Sequence, residues 1–173
     1  MGIIRFVHQF DGKIAGCIAD SVESKLGLLL IRPVAKPADY DALAALAEHC
    51  DMRPAGILGE LNSRKGRFTH AWLAWKLSPQ TISQPACLAG KSRPLGLVTL
   101  VQTPGRWSIS WVLVHPAMRR CSVARVIVGH ALAQAQLLGA REVSADTLCS
   151  WRGAVAFWKA IGFKTHSNAL SRD

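Results

Sequence analysis

The chain has 173 residues, a net charge of +10 and an apolar share of 50%. This length predicts a single domain with enough residues to bury a hydrophobic core. No uncharged apolar run approaches the length of a membrane span. We therefore expect neither a membrane-spanning protein nor a membrane partner. The opening Met1–Arg5 stretch is too short, and too soon followed by polar residues, to read as a signal peptide.

The cysteines and histidines predict neither a disulfide framework nor a metal site. The 5 cysteines are scattered, their number is odd, and no two have the Cys-x-x-Cys spacing. This pattern is typical of free thiols in a reducing compartment, so we expect a cytoplasmic protein. The 6 histidines are equally dispersed, with no pair at ligand spacing, and no metal is expected.

The positive charge is concentrated in the middle of the chain. Residues 61–125 hold ten Lys and Arg and no Asp or Glu, whereas the charges in the rest of the chain sum to zero. Such a segment predicts a polyanionic ligand. A nucleic acid backbone is one candidate, and a small molecule with several phosphates is another.

The first predicted element is a β-hairpin over residues 3–19. Strand-forming residues lie on both sides of Asp11-Gly12, and Asp-Gly is among the best signals for a two-residue hairpin turn. A polar stretch follows the hairpin. We therefore divide the chain into a hairpin extension over 1–26 and one domain over 27–173.

A strand and two helices are predicted next. Residues 28–33 favour a strand, residues 38–49 a helix and residues 54–62 a second helix. The apolar run 68–77 fits either a buried strand or a helix, because periodicity does not separate the two. A loop is expected over 77–85.

The central strand is predicted over residues 107–114. It follows two shorter strands at 86–90 and 95–101 and a turn at 103–106. Large apolar side chains alternate along the central strand, and the period of two predicts that they share one face. These side chains are Trp107, Ile109, Trp111 and Leu113.

A basic turn and a helix follow the central strand. Arg119 and Arg120 lie in the turn, and the spacing of apolar residues predicts a helix from 123 to 138, which Gly139 ends. The first N–H groups of a helix lack intrahelical partners, and the helix dipole is positive there. The strand, turn and helix therefore predict an anion site. Residues 142–147 predict the next strand, parallel to the central one.

Two motifs in this half of the chain resemble those of the GNAT acyltransferase superfamily. The stretch Val114-x-Pro116-x-x-Arg119-x-x-Ser122-x-Ala124 is similar to the family's acetyl-CoA motif, Val-x-Pro followed by Arg/Gln-x-x-Gly-x-Gly/Ala. On a predicted helix over 151–161, the stretch 154–163 is similar to the family's Ala-x-x-Phe-Tyr-x-x-x-Gly-Phe motif. The alternative is an ordinary βαβ unit with arginines on a solvated turn. Two motifs in the right order and at the right distance favour the family.

The resemblance implies a fold and a co-substrate. The implied fold class is α/β (α+β), a GNAT-like mixed, mostly antiparallel central sheet with helices on both faces, here with the N-terminal hairpin added. The implied co-substrate is acetyl-CoA or another acyl-CoA, bound where the central strand and the next parallel strand separate. The residues implied for its binding are Leu113, Val114, Arg119, Arg120, Cys121, Ser122, Val123, Ala124 and Trp158.

The chain departs from the family's pattern where proton transfer is expected. Trp158 stands where many members carry the tyrosine that protonates the leaving thiolate, and an indole N–H is no usable acid. Ser122 replaces the first glycine of the acetyl-CoA motif, and 61–125 contains no carboxylate to act as a base. Both histidines among the remaining candidates have an alternative role in a turn or a core. The candidate catalytic residues are His115, His70, Cys149 and Ser150.

The resemblance also implies an activity. It implies an N-acyltransferase that transfers an acetyl group directly to a small-molecule or peptide amine in a ternary complex. The alternative is a non-catalytic module on the same scaffold that binds acyl-CoA or nucleic acid, with nucleic acid the less favoured partner. The protein is expected to be a monomer or a homodimer.

The end of the chain suggests a role for the N-terminal hairpin. In family members the strand after the Gly-Phe motif is usually followed by another, and the two complete one edge of the sheet. Here only ten residues follow Phe163, and residues 167–173 are typical of a polar tail. A last strand over 163–166 without a partner would leave an unpaired edge. We predict that the hairpin pairs with this strand, in the same subunit or across a dimer. The alternative is an independent flap over the first helix.

Overall fold

A computed structural model describes residues 3–10, 23–24, 27–35, 37–62, 68–76 and 93–166. Within these residues the chain forms eight strands and four α-helices. The strands are β1 (Ile3–Gln9), β2 (Glu23–Ser24), β3 (Gly27–Pro33), β4 (Phe68–Lys76), β5 (Gly96–Thr103), β6 (Arg106–Val114), β7 (Glu142–Leu148) and β8 (Lys164–His166). The helices are α1 (Pro37–His49), α2 (Pro54–Leu61), α3 (Val123–Leu137) and α4 (Arg152–Ala160).

All eight strands form one sheet, in the order β2-β3-β4-β5-β6-β7-β1-β8. Every neighbouring pair is antiparallel except β6 and β7, which are parallel. Helices α1 and α2 cover one face of the sheet, and α3 and α4 pack on the other. This architecture confirms the predicted mixed, mostly antiparallel sheet with helices on both faces. None of the described helices is long and apolar enough to span a membrane.

The predicted helices and strands agree with the structure where it describes them, but the predicted hairpin pairing does not, because residues 5–7 of β1 pair with β7 on one edge and with β8 on the other. The ambiguous run 68–77 is a strand, since residues 71–75 are buried on both faces of the sheet. Helix α3 ends at a left-handed glycine, Gly139, as predicted. The expected loop at 77–85, the short strand at 86–90 and the second arm of the hairpin lie outside the described residues.

The N-terminal strand lies inside the sheet, between β7 and β8. All seven residues of β1 pair with β7, from Ile3 opposite Leu148 to Gln9 opposite Glu142. The other edge of β1 pairs with β8, where Arg5 lies opposite His166. The ladder predicted between the N-terminal segment and 163–166 is therefore confirmed, within one chain. The division of the chain at residue 26 stays a prediction.

A β-bulge interrupts the central strand at Ser110. Strand β5 pairs Thr99 with Trp111 but Leu100 with Ile109, so Ser110 has no partner in the ladder. The side chains therefore change face at this point. Trp107 and Ile109 pack in the core beneath α3, whereas Trp111 and Leu113 pack with α1 and α2. The predicted single face for these four side chains is wrong, because an alternating pattern does not reveal an inserted residue.

The hydroxyl group of Thr99 stabilises the bulge. Thr99 is buried, and its Oγ1 accepts a hydrogen bond from the backbone N–H of Trp111 at 3.0 Å. The same Oγ1 lies 2.7 Å from the Ser110 hydroxyl. One buried side chain thus satisfies the backbone group that the bulge removes from the ladder.

The bulge coincides with the separation of β6 from β7. The two strands pair only at Ser108–Ser144 and Ile109–Ala145. Beyond these pairs, residues 110–114 of β6 and Asp146 of β7 border a common cavity instead of bonding to each other. The parallel pair therefore opens into a cleft directly after the bulge.

We predict that Thr99→Val lowers the free energy of unfolding by about 1–3 kcal/mol. Valine preserves the shape but leaves the Trp111 N–H without its acceptor. Urea denaturation measures the change. In the exposed strand β8, Thr165→Val should change stability by less than about 0.5 kcal/mol. Equal effects of the two substitutions would show that the Thr99 hydroxyl does not support the bulge.

Candidate functional site

Two adjoining cavities follow the cleft between β6 and β7. The inner cavity has a volume of about 420 Å³ and is bordered by β6 after the bulge, β7, α4 and the end of α1. The outer cavity, about 620 Å³, lies at the N-terminus of α3. The two cavities share lining residues, so they adjoin each other. The shared residues are Val114, Arg119, Ala124 and Phe157.

The turn before α3 has an unusual backbone conformation. Arg120 and Ser122 have φ values of 65° and 64°, in the left-handed region that favours glycine. This conformation gives a physical reason for the glycine that the family's motif has at the position of Ser122. The first helical bond runs from the Val126 N–H to the Ser122 carbonyl. The N–H groups of 123–125 therefore have no acceptor within the helix and are available to an anion.

Positive charge surrounds these N–H groups. Arg119, Arg120 and Arg125 are exposed and line the outer cavity. None of the described residues that line this cavity is acidic. The helix dipole adds further positive potential at the same point. The outer cavity therefore suits a polyanion such as a pyrophosphate.

The structure brings together most of the residues implied for co-substrate binding. Cys121 is the exception, because it is half-buried and packs against the core beneath α3. Trp158 is buried in the wall of the inner cavity, with its ring centroid 4.9 Å from that of Phe163. The residues that line one or both cavities are Leu113, Val114, Arg119, Arg120, Ser122, Val123, Ala124 and Trp158.

The predicted candidates for proton transfer lie elsewhere. His115 precedes a short 3-10 turn over Pro116–Met118, and its Nδ1 accepts the Ala117 N–H at 3.3 Å. Cys149 and Ser150 are exposed in the turn after β7. His115, Cys149 and Ser150 are not among the described residues that line the inner or the outer cavity. The structure gives His115 the capping role that was its alternative.

His70 belongs to an aromatic cluster on the α3 face of the sheet. Its ring stacks between Trp72 and Trp107, with centroids 5.9 Å and 6.3 Å away. His130 of α3 meets the edge of Trp72 at 5.4 Å. Burial lowers the pKa of both His70 and His130 below its ordinary value. The cluster does not border either cavity along the described chain, so His70 lies apart from the cleft.

The sequence did not single out a carboxylate that lines the inner cavity, or a second one that contacts a residue of its wall. Asp146 of β7 lines the inner cavity, and its carboxylate receives two hydrogen bonds from Arg5, at 2.8 Å and 3.1 Å. Glu60 of α2 accepts a hydrogen bond from Nε1 of Trp111 at 2.6 Å. Glu60 directly precedes the acid-free segment 61–125, and Asp146 lies on the strand predicted beside the cleft. These contacts join residues that are far apart in the chain, so no local sequence pattern predicts them.

Cys50 is a further wall residue that the sequence did not indicate. Its thiol donates a hydrogen bond to the Val114 carbonyl at 3.4 Å. Burial raises the pKa of Cys50, although the nearby Arg119 opposes this shift. A raised pKa keeps the thiol protonated at neutral pH. Cys50 therefore acts as a neutral donor in the wall of the cavity.

The described residues contain no group of three or more His, Cys, Asp or Glu side chains that could hold a metal ion. The two cavities combine basic groups, backbone N–H groups, apolar walls and the carboxylate of Asp146. These groups are suited to proton transfer and to positioning substrates.

Comparison with known proteins identifies the class. A family model described as the acetyltransferase (GNAT) family matches residues 42–163, and the chain belongs to this family. A search of curated proteins gave no match. The resemblance read from the two sequence motifs is thereby confirmed.

Solved structures show the same fold at low sequence identity. A protein described as a GNAT-family acetyltransferase from Desulfovibrio desulfuricans is 16% identical, with a TM-score of 0.61 over 80% of this chain and 87% of its own. The aminoglycoside 6′-N-acetyltransferase of Acinetobacter haemolyticus is 18% identical, with a TM-score of 0.58 over 80% and 93%.

A third neighbour is longer than this chain. The GCN5-related N-acetyltransferase of Sphaerobacter thermophilus is 17% identical, with a TM-score of 0.64 over 95% of this chain. The match covers 48% of that protein, so the chain spans about half its length. All three likenesses establish the fold.

We predict that acetyl-CoA binding depends on the arginines of the left-handed turn. An Arg119→Glu/Arg120→Glu variant places two negative charges beside the N-terminus of α3 and should weaken binding at least about a hundredfold. Isothermal titration calorimetry measures the affinity.

The matched control is Lys76→Glu/Arg141→Glu. It changes the net charge by the same amount, and both residues are exposed and do not line the inner or outer cavity. Its affinity should stay within about threefold of the parent, because distant exposed charges are screened. Equal losses in the two variants would indicate a general charge effect and overturn the assignment of the turn.

We predict that the aromatic cluster makes stability depend on pH. Because burial lowers the pKa of His70 and His130 below the ordinary 6.5, the unfolded chain binds more protons as the pH falls through this value. The free energy of unfolding should therefore decrease from pH 7 to pH 5. Urea denaturation at several pH values should show a shallower slope for His70→Gln/His130→Gln and an unchanged slope for the exposed His166→Gln. An unchanged slope in the double variant contradicts the prediction.

Proposed function

We propose that this GNAT protein transfers an acetyl group from acetyl-CoA directly to an amine in a ternary complex. The observation that carries the proposal is that the inner and outer cavities adjoin and share wall residues. The outer cavity lies at a positively charged helix N-terminus and suits phosphates. The inner cavity lies in the cleft between parallel strands, where the carboxylate of Asp146 suits an amine.

The residues of both cavities fit the chemical parts of acetyl-CoA. The free N–H groups at the start of α3 and the arginines of the outer cavity would hold the pyrophosphate. Leu113 and Val114 lie beyond the last pair of β6 with β7, so the edge of β6 that faces the cleft is not bonded to β7 there and can receive the pantetheine arm. The Val114 carbonyl on this strand already accepts the Cys50 thiol. The apolar wall provided by Phe157 and Trp158 suits its alkyl parts. When bound, acetyl-CoA supplies the activated acetyl group.

An amine acceptor must lose a proton before or during attack, and Asp146 is the proposed proton acceptor. Its carboxylate lines the inner cavity, and the ion pair with Arg5 fixes its orientation. Glu60 is held against Trp111, and the Trp111 ring also lines this cavity. We assign Glu60 to positioning the indole and adding negative potential for a cationic amine.

The indole of Trp158 cannot donate a proton to the leaving thiolate. Cys149 and Ser150, which the sequence suggested as substitutes, are exposed in the turn after β7 and do not line the described cavities. Water reaching the open cleft is therefore the proposed proton source. Rate enhancement then comes mainly from positioning the two substrates.

The proposal is tested by two measurements on the same protein. Calorimetry should detect acetyl-CoA binding, and release of free thiol should then report acetylation across a panel of amines. Binding together with turnover supports the transferase. Binding without turnover on any amine favours the non-catalytic acyl-CoA-binding alternative, and absence of binding contradicts both.

We predict that Asp146→Asn lowers kcat at least about a hundredfold, which is the usual effect of removing a general base. The affinity for acetyl-CoA should stay within about twofold, because the outer cavity is intact. Glu48→Gln, which neutralises an exposed carboxylate on α1, is the control and should leave kcat unchanged. A kcat for Asp146→Asn within threefold of the parent would remove Asp146 from the mechanism.

A further inference from the structure

A third cavity, which the proposed transfer does not use, lies over β7, β1 and β8. We call it the sheet-face cavity. Its volume is about 740 Å³, larger than either cavity of the cleft. The charged and polar residues that define its chemistry are Arg5, Arg106, Glu142, Ser144 and Lys164.

The sheet-face cavity is positively charged. Arg5, Arg106 and Lys164 line it, against Glu142 as the one carboxylate among its described lining residues. Arg5 is neutralised by Asp146. Neither Arg106 nor Lys164 forms an ion pair with another described residue, so their charges are available to a ligand. A concave surface with this excess attracts anions.

The ion pair between Arg5 and Asp146 links the sheet-face cavity to the cleft. Glu142, Ser144 and Asp146 project from the same face of β7, because side chains alternate along a strand. Asp146 lines the inner cavity, and its ion-pair partner Arg5 lines the sheet-face cavity. Ser144 lies two residues before Asp146, roughly 7 Å along the strand. The Arg106 guanidinium is 3.5 Å from the Ser144 hydroxyl.

We infer that the acceptor is a primary amine that carries an anionic group, and that Arg106 and Lys164 bind this group in the sheet-face cavity. The amine lies at Asp146, and the anionic group lies roughly 7–10 Å from the nitrogen, the distance set by the spacing along β7. This inference rests on the proposed acetyl transfer, since it takes the position of the reacting amine from that proposal.

Binding of matched amines tests the inference without relying on turnover. The probes are 6-aminohexanoate and hexylamine, which differ in the carboxylate, and NMR titration measures their affinities with coenzyme A present in excess. We expect 6-aminohexanoate to bind at least tenfold more tightly than hexylamine. A parallel titration with 6-aminohexyl phosphate shows whether carboxylate or phosphate is preferred.

Variants test whether Arg106 and Lys164 cause the difference in affinity between 6-aminohexanoate and hexylamine. Arg106→Gln/Lys164→Gln should reduce the affinity for 6-aminohexanoate to that of hexylamine while leaving hexylamine unchanged. Lys76→Gln/Arg141→Gln removes the same charge from exposed positions outside the three cavities and should preserve the difference. Equal affinities for the probes in the parent, binding of neither, or a difference that survives in Arg106→Gln/Lys164→Gln overturns the inference.

Turnover separates this inference from the proposed function. Tight, charge-dependent binding of 6-aminohexanoate, without acetylation of it or of any amine in the panel, would refute the transferase and leave the anion subsite standing. Acetylation of hexylamine and 6-aminohexanoate with equal KM would support the transferase and refute the subsite.

Discussion

The cleft depends on the hydrogen bonds that Thr99 makes at the bulge of the central strand. Its hydroxyl accepts the Trp111 N–H and contacts Ser110, so one inserted residue is accommodated without an unsatisfied backbone group. The insertion turns Trp111 toward α2, where its indole binds Glu60. It also lies where β6 and β7 stop pairing. The cavity walls and one carboxylate contact thus depend on a single buried hydroxyl.

The N-terminal strand β1 both completes the sheet and contributes a residue to the site. By pairing with both β7 and β8, β1 completes the sheet next to the cleft. The register places Arg5 opposite Asp146, so a residue near the start of the chain binds a carboxylate in the cavity wall. Phe6 points to the other face and is fully buried beneath the helices. The same strand therefore contributes to stability through one face and to the site through the other.

The parts of the site that could be predicted from the sequence are those formed by residues close together in the chain. The basic turn, the helix after it and Trp158 follow from two local motifs, and the structure places them around the two adjoining cavities. The parts it missed arise from contacts between distant segments, such as Arg5 with Asp146 or Cys50 with Val114. The bulge was missed because Ser110 fits an alternating pattern equally well with or without an extra residue. His70 packs in the core and His115 caps a turn. From the sequence alone, these structural roles and a catalytic role were both open for each histidine.

Backbone amide hydrogen exchange with and without acetyl-CoA tests the central claim most directly. The proposed co-substrate lies along the edge of β6 and at the free N–H groups of α3. Exchange should therefore slow at residues 110–114 and 119–125 when acetyl-CoA is added, while β3 and β4 stay unchanged. Protection confined to other segments, or no change at 119–125 under saturating acetyl-CoA, would contradict the account.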